Sequence, residues 1–351
     1  MNFFRSINWP ITLSSIFLLS VGILVIYSSS KELAIQQAMF GMLGFLIFLF
    51  VSQFDYRSIK SLILPFYITS IILLLSVFIL GIETRGVLRW IPLGIINMQP
   101  SEFAKPALIL LLAQFWTKNY PSWKNILKSL MWTLPFILLI FKQPDLGSLL
   151  SILAIWFLML FASGVSIRKM AVLGLLVLFV IPFSWLSLHD YQKERIIGFL
   201  APESDPLGKG YNLIQSQIAV GSGQILGRGL GRGTQSRLQF LPEFRTDFIF
   251  ASIAEEMGFL GSFMIISIYL ILFIYCFKVA GEAFDRFGYL IIVGVLAMLL
   301  FQTFVNIGMN IGLVPITGIT LPLISYGGSS VLATYFSLGL VASVAKLKKR
   351  V

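Results

Sequence analysis

Residues 245–279, "RTDFIFASIAEEMGFLGSFMIISIYLILFIYCFKV", join a polar loop to a long apolar segment. The apolar part exceeds the roughly 18 residues that a helix needs to span a lipid bilayer. Two adjacent acids, Glu255 and Glu256, nevertheless interrupt it, and Asp247 stands at its start. Ionisable groups inside a membrane face a cavity or a partner, because facing lipid is costly. The stretch therefore predicts a membrane span with polar contacts near one end.

The rest of the chain repeats this apolar character. Of its 351 residues, 57% are hydrophobic and only 12% are charged, whereas a soluble domain averages about 25% charged residues. We therefore predict an all-α polytopic membrane protein, folded as a single transmembrane domain over residues 1–351. About ten spans are predicted, near residues 11–28, 37–54, 61–81, 102–117, 127–143, 145–163, 169–187, 248–279, 287–311 and 322–345.

The net charge of +11 is better explained by membrane orientation than by nucleic-acid binding. Fourteen Lys and Arg residues lie in one set of loops and four in the opposite short loops. The positive-inside rule places the first set, and with it both termini, in the cytoplasm. The long segment 188–246, between spans seven and eight, is then extracytoplasmic. Its seven Lys and Arg residues suggest an anionic ligand there. One cysteine and one histidine allow neither an internal disulfide nor a Cys/His zinc cluster.

Several charged residues lie at predicted helix starts on this extracytoplasmic side. Glu102 and Lys105 are three residues apart on the opening turn of span four, so they share a helix face. They form either an ion pair that stabilises the helix or a site where lysine meets a phosphate. Asp145, in "KQPDLGS", is either the N-cap of span six or a third functional acid. Asp247 allows the same two interpretations, and helical geometry puts Glu255 about 12 Å deeper. A structural role for Glu255 and Glu256 would pair them with cations of neighbouring spans.

Two glycine-rich stretches complete the pattern. "GRGLGRG", residues 227–233, follows no predicted strand and so does not indicate a nucleotide site, but Arg228 and Arg232 suit an anion. "NIGMNIGLVPITGITLPLISYGGSS", residues 306–330, predicts broken backbone at membrane depth, which is tolerated only in protein or against a cavity. Its neutral donors and acceptors include Asn306, Asn310, Ser325 and Ser329. Residues 82–101 are expected in the membrane interface or as a re-entrant segment.

Four stretches together resemble the SEDS family, named for shape, elongation, division and sporulation. They are "MQPSEFAKPALI", "KQPDLGS", "GTQSRLQFLPEFRTDFIFASIAEEMG" and "NIGMNIGLVPITGITLPLISYGGSS". The likeness covers nearly the whole chain and is closer to RodA-like elongation members than to FtsW-like division members. Arg245 stands where the family motif usually has histidine, and such a permanent cation would favour an ionised Asp247.

The resemblance implies a peptidoglycan glycosyltransferase of the bacterial cytoplasmic membrane that polymerises lipid II at the outer face. It implies a class B penicillin-binding protein and other elongation-complex proteins as partners. Asp247 matches the essential aspartate of the family and is expected to act as general base. A divalent cation, Mg²⁺ or Mn²⁺, is a further candidate, and a lipid II flippase is the alternative function. The predicted substrate-binding residues are Glu102, Lys105, Asp145, Arg195, Arg228, Arg232, Ser325 and Ser329.

Overall fold

A computed structural model describes residues 8–84, 87–94, 96–238 and 240–347. Ten helices occupy the ten ranges predicted as spans. They are α1 (Trp9–Ser29), α2 (Lys31–Gln53), α3 (Ile63–Leu80), α4 (Pro100–Lys118), α5 (Trp123–Lys142), α6 (Leu146–Ala162), α7 (Ile167–Ser187), α11 (Ile249–Gly281), α12 (Arg286–Asn310) and α13 (Gly328–Lys346). Shorter elements are β1 (Ile82–Thr84), β2 (Val87–Leu93), β3 (Ile96–Met98), α8 (Asp190–Leu200), α9 (Tyr211–Ser222) and α10 (Thr234–Arg237).

The predicted all-α membrane fold is confirmed. Within the described residues, seven helices are long and apolar enough to cross a membrane, namely α1, α2, α3, α5, α11, α12 and α13. Helix α6 is apolar but has 17 residues. Helix α4 carries Glu102 and Lys105 and is buried without a break from Ala104 to Ala113, as expected for a helix enclosed by others. Crossing of the membrane by α4, α6 and α7 stays a prediction.

One continuous apolar core joins the long helices. Helix α2 packs along α13, and α12 packs against α4, α6 and α11. The broken segment 311–327 connects α12 to α13. Glycines in α1 and α6 let these two helices approach the segment closely. A methyl group on Gly22 of α1 would overlap the Ile324 carbonyl oxygen, and one on Gly147 of α6 would lie 2.9 Å from the Thr317 oxygen. Both close approaches fix the segment that borders the candidate site.

Helix α11 is broken at Gly258, whose φ of 67° and ψ of −164° are non-helical. Only glycine adopts this region readily. The predicted span 248–279 matches α11, which starts at Ile249, and the kink at Gly258 follows Glu255. Segment 224–229 satisfies the main-chain groups that the kink releases. The bonds are Phe259 N to Gln224 O, Leu260 N to Ile225 O, Arg228 N to Glu255 O and Gly229 N to Glu256 O.

Strands Ile82–Thr84, Val87–Leu93 and Ile96–Met98 form a small antiparallel sheet in the order β1-β2-β3. The sequence predicted interfacial or re-entrant chain over residues 82–101. Strand β2 pairs with β1 through Ile82↔Trp90 and with β3 through Ile91↔Met98. Residues 85–86 and 95 lie outside the described part. Arg89 of β2 donates to the Tyr191 hydroxyl of α8 at 3.4 Å. The sheet therefore lies at the same end of the helix bundle as segment 188–246, which we call the loop end.

The long segment 188–246 contains helices α8, α9 and α10. Helix α9 packs on α11 and α12. Its buried Ala219 joins a second small core with Leu241, Phe244 and Phe248. Ser216 of α9 donates to the Asn310 carbonyl at 2.9 Å. This packing fixes the residues just before α11, including Asp247.

Candidate active site

Asp247 lies in the turn that precedes α11. Its carbonyl oxygen accepts hydrogen bonds from the side-chain amides of Asn306 at 2.9 Å and Asn310 at 3.0 Å. The N-cap of α11 is Phe248, without a side-chain capping bond, so the capping role considered for Asp247 is not observed. The half-buried carboxyl is instead carried on a main chain that α12 holds in place.

The two asparagines do more than support one carbonyl. Asn306 Nδ2 also donates to the Ile319 oxygen at 2.7 Å, and Asn310 Oδ1 accepts from the Ala251 amide at 2.9 Å. Each amide therefore links Asp247 to a second buried element, either the broken segment or the first turn of α11. Asn306 therefore bonds to the broken segment, whereas the side chain of Asn310 bonds to the turn before α11, to α11 and to Asn306.

Arg195 of α8 reaches the same place as Asp247. A methyl group built on Gly318 would lie 3.5 Å from Asp247 Oδ2 and 3.6 Å from Arg195 Nη1. The carboxylate and the guanidinium therefore both lie within van der Waals contact of one point above Gly318, whose φ is +77°. Arg195 Nη1 also donates to the Ile316 carbonyl at 3.5 Å, and its guanidinium lies 5.9 Å from the Tyr191 ring centre.

Glu102 and Lys105 form a buried ion pair of 2.6 Å, with side chains 9% and 2% exposed. The pair lines a small polar cavity together with Gln99, Ser148, Ser151 and residues Gly318, Ile319 and Thr320. Gly318 thus borders both this cavity and the space that holds Asp247 and Arg195. Two acids, Asp247 and Glu102, and two cations, Arg195 and Lys105, therefore lie around a single glycine of the broken segment.

Asp145 is the N-cap of α6, so the structural interpretation of this acid is confirmed. It accepts from the Ser148 amide at 3.2 Å, the Gln99 amide side chain at 3.1 Å and the Ser101 hydroxyl at 3.3 Å. Arg89 Nη1 lies 4.0 Å from Asp145 Oδ1, the oxygen that also accepts from the Ser148 amide. These partners tie the start of α6 to that of α4, beside the Glu102–Lys105 cavity.

Ser325 and Ser329 are buried and bonded to main chain. Ser325 Oγ donates to the Thr246 carbonyl at 2.6 Å and accepts from the Leu321 amide at 2.8 Å. Ser329 Oγ accepts from the Gln99 amide at 2.9 Å. The two hydroxyls therefore hold the walls of the site, and direct contact of either with a substrate stays a prediction.

Arg228 and Arg232 are exposed on the loop that bridges the α11 kink. Arg228 donates to the Ser222 carbonyl at 3.3 Å and to the Thr234 hydroxyl at 3.1 Å. Its own amide bonds to the Glu255 carbonyl, more than one turn of α11 beyond Asp247. The two arginines therefore form a rim, separate from the residues grouped around Gly318.

Three further charged residues of the opening stretch, Arg245, Glu255 and Glu256, have structural contacts. Glu255 Oε1 accepts from the Gln235 amide at 2.9 Å, and Glu256 Oε1 accepts from the Ser28 hydroxyl at 2.8 Å. These donors are a main-chain amide and a hydroxyl group, and pairing of the two acids with cations of neighbouring spans stays a prediction. Arg245 Nε donates to the Ser29 hydroxyl at 2.8 Å, so both Arg245 and Glu256 bind the end of α1.

Arg89 is a residue whose position sequence reasoning missed. Its guanidinium donates to the Gln143 carbonyl at 3.2 Å and to the Pro144 carbonyl, and Tyr191 also donates to Pro144 at 2.6 Å. Arg89 therefore satisfies carbonyls at the end of α5, which lack helical partners. The sequence signal was an arginine within an apolar segment. Its contact with the helix break at "KQPDLG" appears only in the structure.

The described residues do not fit a protein-built site for Mg²⁺ or Mn²⁺. Within the ranges that the structure describes, no three His, Cys, Asp or Glu side chains group as a metal site. Divalent cations of this kind prefer several oxygen ligands at short distance. The side chains around Gly318 comprise two cations as well as two acids.

Comparisons with known proteins show the family of this chain. The model of the FtsW, RodA and SpoVE family, described as cell cycle protein, matches residues 3–350. The peptidoglycan glycosyltransferase MrdB of Escherichia coli strain K12 is 40% identical over 338 residues, covering 95% of this chain and 91% of MrdB. The probable peptidoglycan glycosyltransferase FtsW of Geobacter metallireducens is 37% identical, covering 97% of this chain and 94% of that protein.

Two solved structures share the fold. A chain from a study of structural coordination of polymerization and crosslinking by a peptidoglycan synthase complex has a TM-score of 0.82 and 34% identity, covering 96% of this chain and 97% of that one. The rod shape determining protein RodA of Thermus thermophilus has a TM-score of 0.74 and 28% identity, with 98% of each chain covered. The predicted family is thereby confirmed, and the chain belongs to the FtsW, RodA and SpoVE family of cell cycle proteins.

Proposed function

We propose that this chain is a peptidoglycan glycosyltransferase that polymerises lipid II into glycan strands for cell elongation. The names of its FtsW and MrdB relatives support the activity. The observation that carries the proposal is the grouping of Asp247, Arg195 and the Glu102–Lys105 pair around Gly318. A carboxylate beside fixed cations suits a reaction that removes a proton from one substrate and releases an anion from another.

Asp247 is proposed as the general base. The GlcNAc 4-hydroxyl of one lipid II attacks the MurNAc anomeric carbon of the growing chain, and Asp247 accepts the hydroxyl proton. A base must lie within hydrogen-bond reach of that proton, and the fixed main chain at Asp247 provides a constant position. The bond to undecaprenyl pyrophosphate breaks as the new glycosidic bond forms, so the anomeric centre inverts from α to β.

Arg195 and Lys105 are proposed to stabilise the charge on the leaving pyrophosphate. Preorganised cations are most effective where charge develops in a site shielded from water, and Lys105 is almost fully buried. Glu102 orients Lys105. Arg195 serves a second purpose, since a nearby cation favours the ionised form of a carboxylate. Pyrophosphate leaves without a general acid, unlike the sugar alcohol in glycoside hydrolysis, which needs paired carboxyls.

The other predicted residues are assigned to the edges of the site. Arg228 and Arg232 are proposed to meet the anionic headgroup of lipid II at the rim, before it reaches Gly318. Asp145, Ser325 and Ser329 are proposed to shape the walls that the substrate contacts. No step is assigned to a divalent cation.

The site is proposed to face the outside of the cytoplasmic membrane. The excess of Lys and Arg in the loops at the opposite end places that end, with both termini, in the cytoplasm. The loop end then meets lipid II after its transfer across the membrane. A class B penicillin-binding protein is proposed as the crosslinking partner, with other elongation proteins, because a structural relative comes from a synthase complex that couples polymerization and crosslinking.

A lipid II flippase remains the alternative, because broken helices and buried charges also occur in transporters. The polar residues described here gather at the loop end, whereas transport requires groups reachable from both faces. That asymmetry favours the enzyme.

The experiment uses the purified chain in detergent with lipid II, with and without a class B penicillin-binding protein. Detergent removes the barrier between compartments, so transport alone yields no product. Glycan polymer that disappears with Asp247→Ala, but persists with Asp190→Ala, supports the proposal. Asp190 is an almost fully exposed acid of the same segment. Absence of polymer from the unmodified chain, even with the partner, would contradict it.

A further inference from the structure

The loop that bridges the α11 kink, residues 223–232, exposes apolar side chains that the proposed reaction does not use. Ile225, Leu226 and Leu230 are 66%, 77% and 50% exposed. Clustered exposed apolar groups mark a binding surface in a folded protein. We call residues 223–232 the kink loop, and its position relative to the bilayer decides what that surface contacts.

The length of α11 locates the bilayer edge. The helix has 33 residues, more than the roughly 20 that cross a hydrocarbon core about 30 Å thick. Residues 249–258 include no exposed side chain, and large exposed apolar residues begin at Phe259 and continue to Phe277. That stretch rises about 27 Å, which matches the hydrocarbon core. The lipid-facing surface of α11 therefore begins directly below Gly258.

The end of helix α1 independently indicates the same height for the edge of the hydrocarbon core. Its loop-end residue Ser28 bonds to Glu256 at 2.8 Å, two residues before the kink. The preceding Tyr27 is 58% exposed, and tyrosine is enriched where membrane spans meet the headgroup region. Helix α1 ends at Ser29. Two neighbouring spans thus place the edge of the hydrocarbon core at the height of Gly258.

The kink loop is fixed at this height. Phe259 and Leu260, the first lipid-facing residues of α11, donate their amides to the Gln224 and Ile225 carbonyls. Exposed Ile225 and Leu226 therefore lie beside exposed Phe259 and Leu260. The exposed Arg228 and Arg232 follow within the same loop. An apolar tip with adjacent arginines matches the layering of a lipid leaflet, in which acyl chains lie below phosphates.

We propose that the kink loop inserts its Ile225–Leu226 tip into the bilayer leaflet at the loop end. Arg228 and Arg232 then lie at the level of the phospholipid phosphates. The inserted tip holds the loop against α11, close to the helix turns that follow Asp247. The occupant of this surface is the lipid leaflet itself, and the inference depends on the position of the spans, independently of the proposed reaction.

The test is a depth measurement by spin labelling of the full chain in phosphatidylcholine and phosphatidylglycerol vesicles. The one native cysteine, Cys276, is buried, so a label at a new surface cysteine dominates the signal. Labels are placed by Leu226→Cys, by Glu203→Cys as an aqueous reference and by Phe263→Cys as a lipid reference. Ile225→Cys provides a second position should Leu226→Cys fold poorly.

Power saturation with oxygen and with a water-soluble nickel chelate is expected to place the Leu226 label between the two references, with strongly reduced access to nickel. A Leu226 label as accessible to nickel as the Glu203 label would overturn the proposal. So would a label that is aqueous in vesicles of this chain alone and protected only when a partner protein is added, because the surface would then bind protein.

Discussion

At the scale of single residues, the main chain around Asp247 is anchored on both sides. Asn306 and Asn310 bind its own carbonyl, and Ser325 binds that of Thr246. Tyr326 donates its amide to the Arg245 carbonyl at 2.9 Å. A general base gains from such restraint, because a small displacement of a reacting group lowers the rate strongly.

Replacement of Asn310 by alanine tests this restraint. Asn310→Ala leaves the Asp247 carbonyl with one fewer donor and the Ala251 amide without this acceptor. Buried polar groups left unsatisfied cost about 1–3 kcal/mol, so we expect a lower melting temperature and slower polymerisation. Ser267→Ala, which removes an exposed hydroxyl within α11, should change neither. Equal behaviour of the two variants would show that the asparagine does not position the base.

Single and double variants of the Glu102–Lys105 pair distinguish an effect on stability from an effect on catalysis. Removal of one partner of a buried ion pair costs about 3–5 kcal/mol, because it leaves the other charge unpaired. Glu102→Gln alone should therefore destabilise the chain strongly. The double variant Glu102→Gln/Lys105→Met should recover most of the melting temperature but little polymerisation. Full recovery of polymerisation in the double variant would remove Lys105 from the reaction.

The sequence identified Asp247, Glu102 and Lys105, because each stands beside a helix start and within a family motif. It did not identify the space above Gly318. The residues that meet there come from α8, the turn before α11 and the broken segment, which are far apart in the sequence. Their approach depends on tertiary packing, such as the contact of Gly147 with Thr317, that no local pattern encodes.

At the scale of elements, the kink in α11 matters most. Gly258→Ala should be strongly destabilising, because its φ is +67° and the new methyl group would overlap the Gly227 nitrogen and lie 2.6 Å from the Ile225 oxygen. A non-glycine residue in such a region costs about 1–3 kcal/mol before any overlap. Gly281→Ala, at the other end of α11 with open space around it, is the matched control in thermal unfolding. Similar melting temperatures for the two variants would contradict the role given to the kink.

The kink in α11 and the small sheet show why the helices and strands were only partly predictable from the sequence. Hydropathy located α11, but a glycine within an apolar run is equally compatible with a straight helix. What makes Gly258 a break is the pairing of 224–229 with the released main-chain groups. Strands β1 to β3 are three to seven residues long, too short for a clear alternating pattern.

At the scale of the whole molecule, the helix ranges followed from hydropathy, because a span must cover a fixed thickness of lipid. The first span was predicted at residues 11–28, and the observed helix is Trp9–Ser29. The fourth was predicted at residues 102–117, and the observed helix is Pro100–Lys118. Hydropathy did not show that α4 lies inside the bundle. Its charged pair is now explained, because enclosed helices can carry polar groups that lipid-facing helices cannot.

Orientation is testable with impermeant thiol reagents on spheroplasts. Glu203→Cys, in segment 188–246, should react in intact spheroplasts. Lys124→Cys, at the start of α5, should react only after permeabilisation. Both positions are exposed, and the buried native Cys276 contributes little background. Labelling of position 124 in intact spheroplasts would reverse the orientation and move the site to the cytoplasmic face.

The central claim is that the carboxylate of Asp247 takes the proton from the attacking sugar hydroxyl. Its most direct test is single-turnover polymerisation of lipid II by Asp247→Asn, with lipid II binding measured in parallel and Asp190→Asn as control. Asparagine keeps the shape but accepts no proton, so we expect a fall of about 10²–10⁴-fold in rate with binding retained. A polymerisation rate for Asp247→Asn equal to that of Asp190→Asn would contradict the claim.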